Sequence, residues 1–267
     1  MKTALKISIV AGLILVVAAP ALAAPTNGAG YYGGRVNWSR VAGHYTGSGG
    51  EFSLSANTPG SLLLSNGAYA SVAKGKAGVE SFQTFCLEQG EFVGQPMDIW
   101  VSTEWATPAT GPQWAPGTPL SDRSHSWDGG PPVGIGDDLN PQTAYLYYKF
   151  ATGTLGGYTY TPGSGRNSSA GHLQNAIWFL EGEIASVSGQ AALWVQEAVN
   201  ATGLNFGTYI ASGPVTWGAR IGPVRVMQMY WGNEYRQDLL YVLVPAPAAA
   251  LLGAIGVSLV VWLRRKA

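Results

Sequence analysis

Phe82-Gln83-Thr84-Phe85-Cys86-Leu87-Glu88 is the stretch from which the rest of this 267-residue chain is best read. It is a short, aromatic-rich apolar run of the kind that forms a buried strand, and it holds the only cysteine in the chain. Other runs share the strand pattern. Gly50-Glu51-Phe52-Ser53-Leu54-Ser55 alternates apolar with polar residues, as a half-buried strand does. Ser61-Leu62-Leu63-Leu64 precedes the turn signal Asn66-Gly67, and Met97-Asp98-Ile99-Trp100-Val101 is expected to pair with the cysteine strand. Beyond Gly203 three more runs read as strands: Pro214-Val215-Thr216-Trp217, Val224-Arg225-Val226-Met227 and Leu239-Leu240-Tyr241-Val242-Leu243.

Between these two strand-rich parts the period changes to that of helices. Asn140-Pro141 is a helix start, with proline in the first turn, and Ala144, Tyr145, Tyr148 and Ala151 follow at helical spacing up to Gly153. A second helix is expected from near Ser169 or Gly171 to Gly182, placing Gln174 in its first turn, and a third from about Ala191 to Ala201. Residues 107–141 are proline-rich, lack apolar periodicity and read as a long loop. Its aspartates, Asp122, Asp128, Asp137 and Asp138, fit no calcium-loop spacing, and neither a metal nor another cofactor is expected. With 37 glycines, 16 prolines and 11% aromatic residues, the chain favours short strands with tight turns. The fold class expected is α+β: an antiparallel β sandwich or barrel with a helical insertion at about 140–202, plus a C-terminal transmembrane helix.

The ends carry their own signals. Residues 1–23 have a basic start (Lys2, Lys6), an apolar run and Ala21-Leu22-Ala23, as a cleaved secretory signal does. Residues 24–34 are glycine-rich and read as a flexible lead-in to an ectodomain over 35–243. The tail 244–267 contains Pro245 and Pro247, sixteen apolar or small residues from Ala248 to Leu263, and then Arg264 and Arg265 ahead of Lys266. A helix over 248–263 would reach about 24 Å, a little short of a bilayer core, with its basic end held in the cytoplasm. This order of Pro-x-Pro, short apolar helix and arginine-rich end resembles the PEP-CTERM sorting signal of Gram-negative bacteria. The resemblance covers about the last two dozen residues and departs from the family's pattern at Ala246, where glutamate is usual. It implies a transient inner-membrane anchor, an exosortase-type processing enzyme as partner, and delivery to the cell envelope or an exopolysaccharide matrix. Once the five basic residues of the two ends are set aside, ten remain against 15 acidic ones, a net charge near −5. An acidic body without a basic cluster excludes nucleic-acid binding.

Export sharpens the question of Cys86, because exported proteins pair their cysteines and here no second one exists. A possible partner of another kind is Gln174, 88 positions on, in Leu173-Gln174-Asn175-Ala176-Ile177-Trp178. A thiol that attacks a glutamine carboxamide expels ammonia and leaves an internal thioester, provided the fold holds the two groups at near-attack distance and polarises the carbonyl. Phe82, Phe85 and Trp178 are candidates to exclude water, and His172 is a candidate base or donor. Spacing alone equally allows Cys86 to be an inert buried residue and Gln174 an ordinary helix residue.

Phe85-Cys86-Leu87 together with Leu173-Gln174-Asn175-Ala176-Ile177-Trp178 resembles the paired signatures of bacterial surface thioester domains, an aromatic-Cys-apolar strand and a helix of the form Thr-Gln-x-Ala-apolar-Trp. The resemblance spans residues 50–235 by order of elements, with specific matches at about ten positions, and Leu173 stands where threonine is common. It implies that Cys86 and Gln174 are the bonded pair, with Ala176 and Trp178 as supporting positions. Domains of this type occur in Gram-positive adhesins and attach covalently to host proteins. For an exported envelope protein the implication is a non-enzymatic, covalent bond to an amine or hydroxyl nucleophile of a surface or matrix. Two other classes compete. Ten tryptophans and thirteen tyrosines, including Tyr158-Thr159-Tyr160, would suit a non-covalent carbohydrate or exopolysaccharide binder. Glu88, Glu91, Glu181 and Glu183, or Cys86 with His172, would suit a hydrolase.

Overall fold

The computed structural model describes residues 31–47, 49–57, 69–75, 81–90, 93, 97–102, 105–106, 137–203, 222–231 and 234–242. The signal, the strand expected at 61–64 with its Asn66-Gly67 turn, the run 214–217, and the tail with Pro245, Pro247, Arg264 and Arg265 lie outside these residues. Among the described residues no helix is long and apolar enough to cross a membrane.

Six strands form one antiparallel sheet. They are β1 (Tyr31–Ser39), β2 (Phe52–Ala56), β3 (Ser81–Thr84), β4 (Met97–Ser102), β7 (Val224–Trp231) and β8 (Glu234–Val242), in the order β3-β2-β1-β4-β7-β8. Two short strands, β5 (Trp105–Ala106) and β6 (Asp137–Asp138), pair separately. The large sheet curls until its edges meet. Just past β3, Leu87 N–H donates to the Asp238 carbonyl at 3.1 Å and Leu240 N–H to that of Phe85 at 3.3 Å. Cys86 thereby forms an antiparallel bridge with Leu239, and the Thr84 hydroxyl donates to the Leu240 carbonyl at 2.6 Å. The result is a nearly closed barrel in which two exposed edges have largely satisfied one another. Val36, Leu54, Phe82, Met97, Ile99, Val226, Met227, Leu239 and Tyr241 fill the core.

The helical insertion falls where the sequence placed it. Helix α1 spans Pro141–Ala151, α2 Ser164–Leu180 and α3 Gly189–Thr202, packed on one another and on the sheet. Asn140 caps α1, its side chain accepting from Gln142 N–H at 2.9 Å, and Pro141 needs no partner for a missing N–H. Gly153 and Gly203 take the left-handed conformation that ends α1 and α3.

Three expectations need correction. The cysteine strand does not pair with Met97–Ser102: β2 and β1 lie between them, because the chain after β3 crosses to β8 and closes the barrel instead of turning back. Residues 31–34 of the expected lead-in belong to β1. Their glycines serve the sheet, Gly33 lying so close to Ile99 that a Cβ would come within 2.9 Å of it, and Gly34 taking φ 100° at a register shift. Helix α2 begins at Ser164, five residues before Ser169, since burial of Arg166 outweighs the poor helix propensity of Ser164-Gly165. Of the loop aspartates, Asp137 and Asp138 form β6, and Asp122 and Asp128 lie outside the described residues. Among the described residues no three His, Cys, Asp or Glu side chains converge as a metal site.

Candidate functional site

The barrel seam and helix α2 bring Cys86 and Gln174 together. The β2–β3 register sets Phe52 opposite Thr84. Continuing it places Glu51 opposite Phe85 and Gly50 opposite Cys86. The Gln174 carboxamide joins the chain at this point. Its Oε1 accepts from Gly50 N–H at 2.9 Å and from Cys86 N–H at 3.2 Å, while its Nε2 donates to the Cys86 carbonyl at 2.8 Å. Two donors on one side and an acceptor on the other fix which end of the amide is oxygen. Gln174 is 1% exposed and Cys86 4%, so the carboxamide has exchanged solvent for this set of backbone partners.

Gln174 is not in the first turn of its helix, as the sequence suggested, but well inside α2, where the backbone is held on both sides. The loop from β1 to β2 runs beside the helix. Gly163 N–H donates to the Gly43 carbonyl at 2.9 Å, and Arg40 holds the Gly47 carbonyl at 2.6 Å while its guanidinium covers the rings of Tyr45 and Phe52. At the end of that loop the approach is closest. A Cβ on Gly49 would come within 2.5 Å of Gln174 Cγ and 3.2 Å of the Trp178 ring, and one on Gly50 within 2.5 Å of the Phe85 ring. Only glycine fits at these two positions.

The supporting residues divide. Phe85 is buried, lies against Gly50 and meets Phe150 edge to face at 5.0 Å. Trp178, one turn after Gln174, covers Gly49, and its buried indole N–H has no hydrogen-bond partner among the described residues. Ala176 is fully buried where α2 packs into the core. His172 is not brought to the pair: two helical positions differ by about 200°, so it leaves α2 from another face and is half-buried there.

The residues that the sequence reading missed surround Glu51. This carboxylate is fully buried and receives Arg166 Nε at 2.7 Å, Arg166 Nη2 at 2.6 Å and the Tyr158 hydroxyl at 2.6 Å. Arg166 spends its other donors on the carbonyls of Tyr160 at 2.5 Å and Val72 at 2.9 Å. Burial pushes the Glu51 carboxyl up, against the opposing pull of Arg166 and Tyr158. Next to it, His44 Nδ1 accepts from the Gln83 amide at 2.9 Å and lies 4.0 Å from Glu51 Oε2. Burial and the Arg166 charge lower the His44 pKa to about 4, which keeps the ring neutral at pH 7. The one available signal in the sequence was Arg166 itself, a lone charge in a Ser/Gly-rich stretch.

The rival constellations find other uses. Tyr158 packs with Phe150 and Trp194 in the core, and the half-buried Tyr160 stacks on Phe150. Glu183 accepts from Gln89 N–H at 3.1 Å and Glu181 from Asn140 N–H at 3.3 Å. Glu88 is buried, and Glu91 lies outside the described residues. Compared with protein-family models, with curated proteins and with solved structures, the chain shows no match.

Proposed function

We propose that the protein is an exported cell-envelope component that carries an internal Cys86–Gln174 thioester and uses it to attach covalently to an amine or hydroxyl of a surface or matrix. The observation that carries this reading is the reception of the Gln174 carbonyl oxygen by two backbone N–H groups, from Gly50 and from Cys86 itself, in a closed site. Those donors stand where the oxygen would become negative during attack at Cδ, the arrangement that stabilises a tetrahedral intermediate. The chemistry balances within the pair. A bond forms from Cys86 Sγ to Gln174 Cδ, the Cδ–Nε2 bond breaks, and the thiol proton leaves on nitrogen as ammonia. An incoming amine later forms an amide with the same carbon and returns the thiol. Each molecule reacts once, so this is attachment and not turnover.

Burial of both residues supports the same reading, because an unshielded thioester would be hydrolysed. The secretory start and the PEP-CTERM-like tail support an envelope location, with an exosortase-type enzyme as the processing partner and the inner membrane as a temporary anchor. The test is intact mass of the exported chain. It should be lighter by one ammonia, gain the mass of methylamine when that amine is added, and keep full mass in Cys86→Ala and Gln174→Ala. A full-mass wild-type chain with a freely titrating thiol would end the proposal.

A further inference from the structure

A buried ion pair is a costly way to hold a fold together, and apolar side chains of similar volume often serve as well or better. The Glu51–Arg166 pair therefore needs a reason beyond packing, and its position supplies one. Glu51 follows directly on Gly50, whose N–H is one of the two donors to Gln174 Oε1. Arg166 stands on the same helix as Gln174, eight residues earlier, about 12 Å along the axis. Helix α2 thus grips one short piece of backbone twice, through the guanidinium on Glu51 and through the carboxamide on Gly50. The bidentate fork fixes orientation as well as distance, and Tyr158 supplies a third bond from the chain just before α2. Gly50 has no side chain of its own with which to hold its peptide in place.

We infer that Glu51 and Arg166 are positioning residues for the thioester site: their ion pair sets the Gly50 peptide so that its N–H points at the Gln174 carbonyl oxygen. The inference rests on the thioester reading and adds to it a pair of residues that touch neither reacting atom. Glu51 acts in this role as the acceptor for three donors, Arg166 Nε, Arg166 Nη2 and the Tyr158 hydroxyl.

The experiment uses the exported full chain in detergent, with glycine labelled by nitrogen-15 and glutamine by carbon-13 at Cδ. Three variants are compared with wild type: Glu51→Gln, Tyr158→Phe, and the double variant Glu51→Leu/Arg166→Met, which replaces the ion pair by apolar volume and leaves no charge stranded. Three quantities are read: the rate at which the ammonia-loss mass appears after refolding, the thioester carbonyl stretch by isotope-edited infrared spectroscopy, and the Gly50 amide proton shift. Loss of one donor of this kind slows acyl chemistry by about 100-fold or more. The expected result is a slowing of about 10- to 100-fold in the double variant, a smaller one in Tyr158→Phe, a carbonyl stretch moved to higher frequency, and an upfield Gly50 amide. A core variant in the sheet away from the site, such as Val36→Ala, matched for melting temperature, should leave stretch and amide shift where they are. A folded double variant with wild-type rate, stretch and Gly50 shift overturns the inference while leaving the thioester standing. A wild-type chain of full mass overturns both, and is recognised without any variant.

Discussion

At the level of single residues, the site depends on two glycines as much as on the cysteine and the glutamine. Gly49→Ala would drive a methyl group to 2.5 Å from Gln174 Cγ and 3.2 Å from the Trp178 ring. The carboxamide has to move, so we expect the ammonia-loss species to fall at least 10-fold by intact mass, with a stability loss of about 1–3 kcal/mol in urea. His44 gives a pH dependence whose sign follows from its neighbours. Its folded pKa lies at about 4, below the ordinary 6.5, so acid protonates the unfolded chain first. This contribution to stability is complete above pH 6.5 and is lost as pH falls towards 4, on the order of 2 kcal/mol after allowance for screening. His44→Asn keeps an acceptor for the Gln83 amide but cannot titrate. Melting curves of the variant should flatten between pH 6.5 and 4 relative to wild type; parallel curves would contradict the assignment.

Among the elements, Asn140 joins two helices with one side chain. Its oxygen caps the start of α1 through Gln142 N–H at 2.9 Å, and its amide donates to the Leu180 carbonyl at the end of α2 at 3.1 Å. Both groups belong to helix termini that otherwise lack partners. Asn140→Ala should cost roughly 2 kcal/mol in urea unfolding, about half from each bond. Asn140→Asp keeps the cap and loses the amide donor, and should recover about half. Helix α2 is the element on which the site depends most, since it carries Gln174, Ala176, Trp178 and Arg166. The helix starts early enough to present Arg166 because that side chain has a buried carboxylate to meet, a tertiary gain larger than the propensity lost at Ser164 and Gly165.

In the molecule as a whole, the proposed bond would tie the barrel seam to the helical layer. Cys86 sits where the edge after β3 meets β8, and Gln174 stands on the helix packed beside it. A covalent link across 88 residues removes chain entropy from the unfolded state, by analogy with a disulfide about 4 kcal/mol. Opening it with methylamine should lower the calorimetric melting temperature by about 10 °C. Cys86→Ala should melt at that lower temperature and ignore methylamine. An unchanged melting temperature on amine treatment of a chain that had lost ammonia would show that the tie adds nothing to the fold.

How much of this was legible without the structure follows from how far apart the interacting residues are. The helical insertion, its Asn140-Pro141 start and its Gly153 and Gly182 stops could be read from the sequence, because caps and periodicity act within a few residues. So could the interest of Cys86 and Gln174, through residue type, solitude and local motif. The barrel closure could not, since strand order is set by contacts such as Leu87 with Asp238, which no local pattern encodes. Nor could the surroundings of Gln174: nothing local marks the Gly50 and Cys86 N–H groups as its donors, or Gly49 as the residue its side chain packs against. Glu51 and Arg166 are 115 positions apart and find each other only when α2 lies along the start of β2. The residue types and local elements came from the chain itself, where short-range sterics and hydrogen bonding dominate. The environment of the carboxamide was decided by tertiary packing, because burial and backbone donors reach it from segments that only the folded barrel brings together.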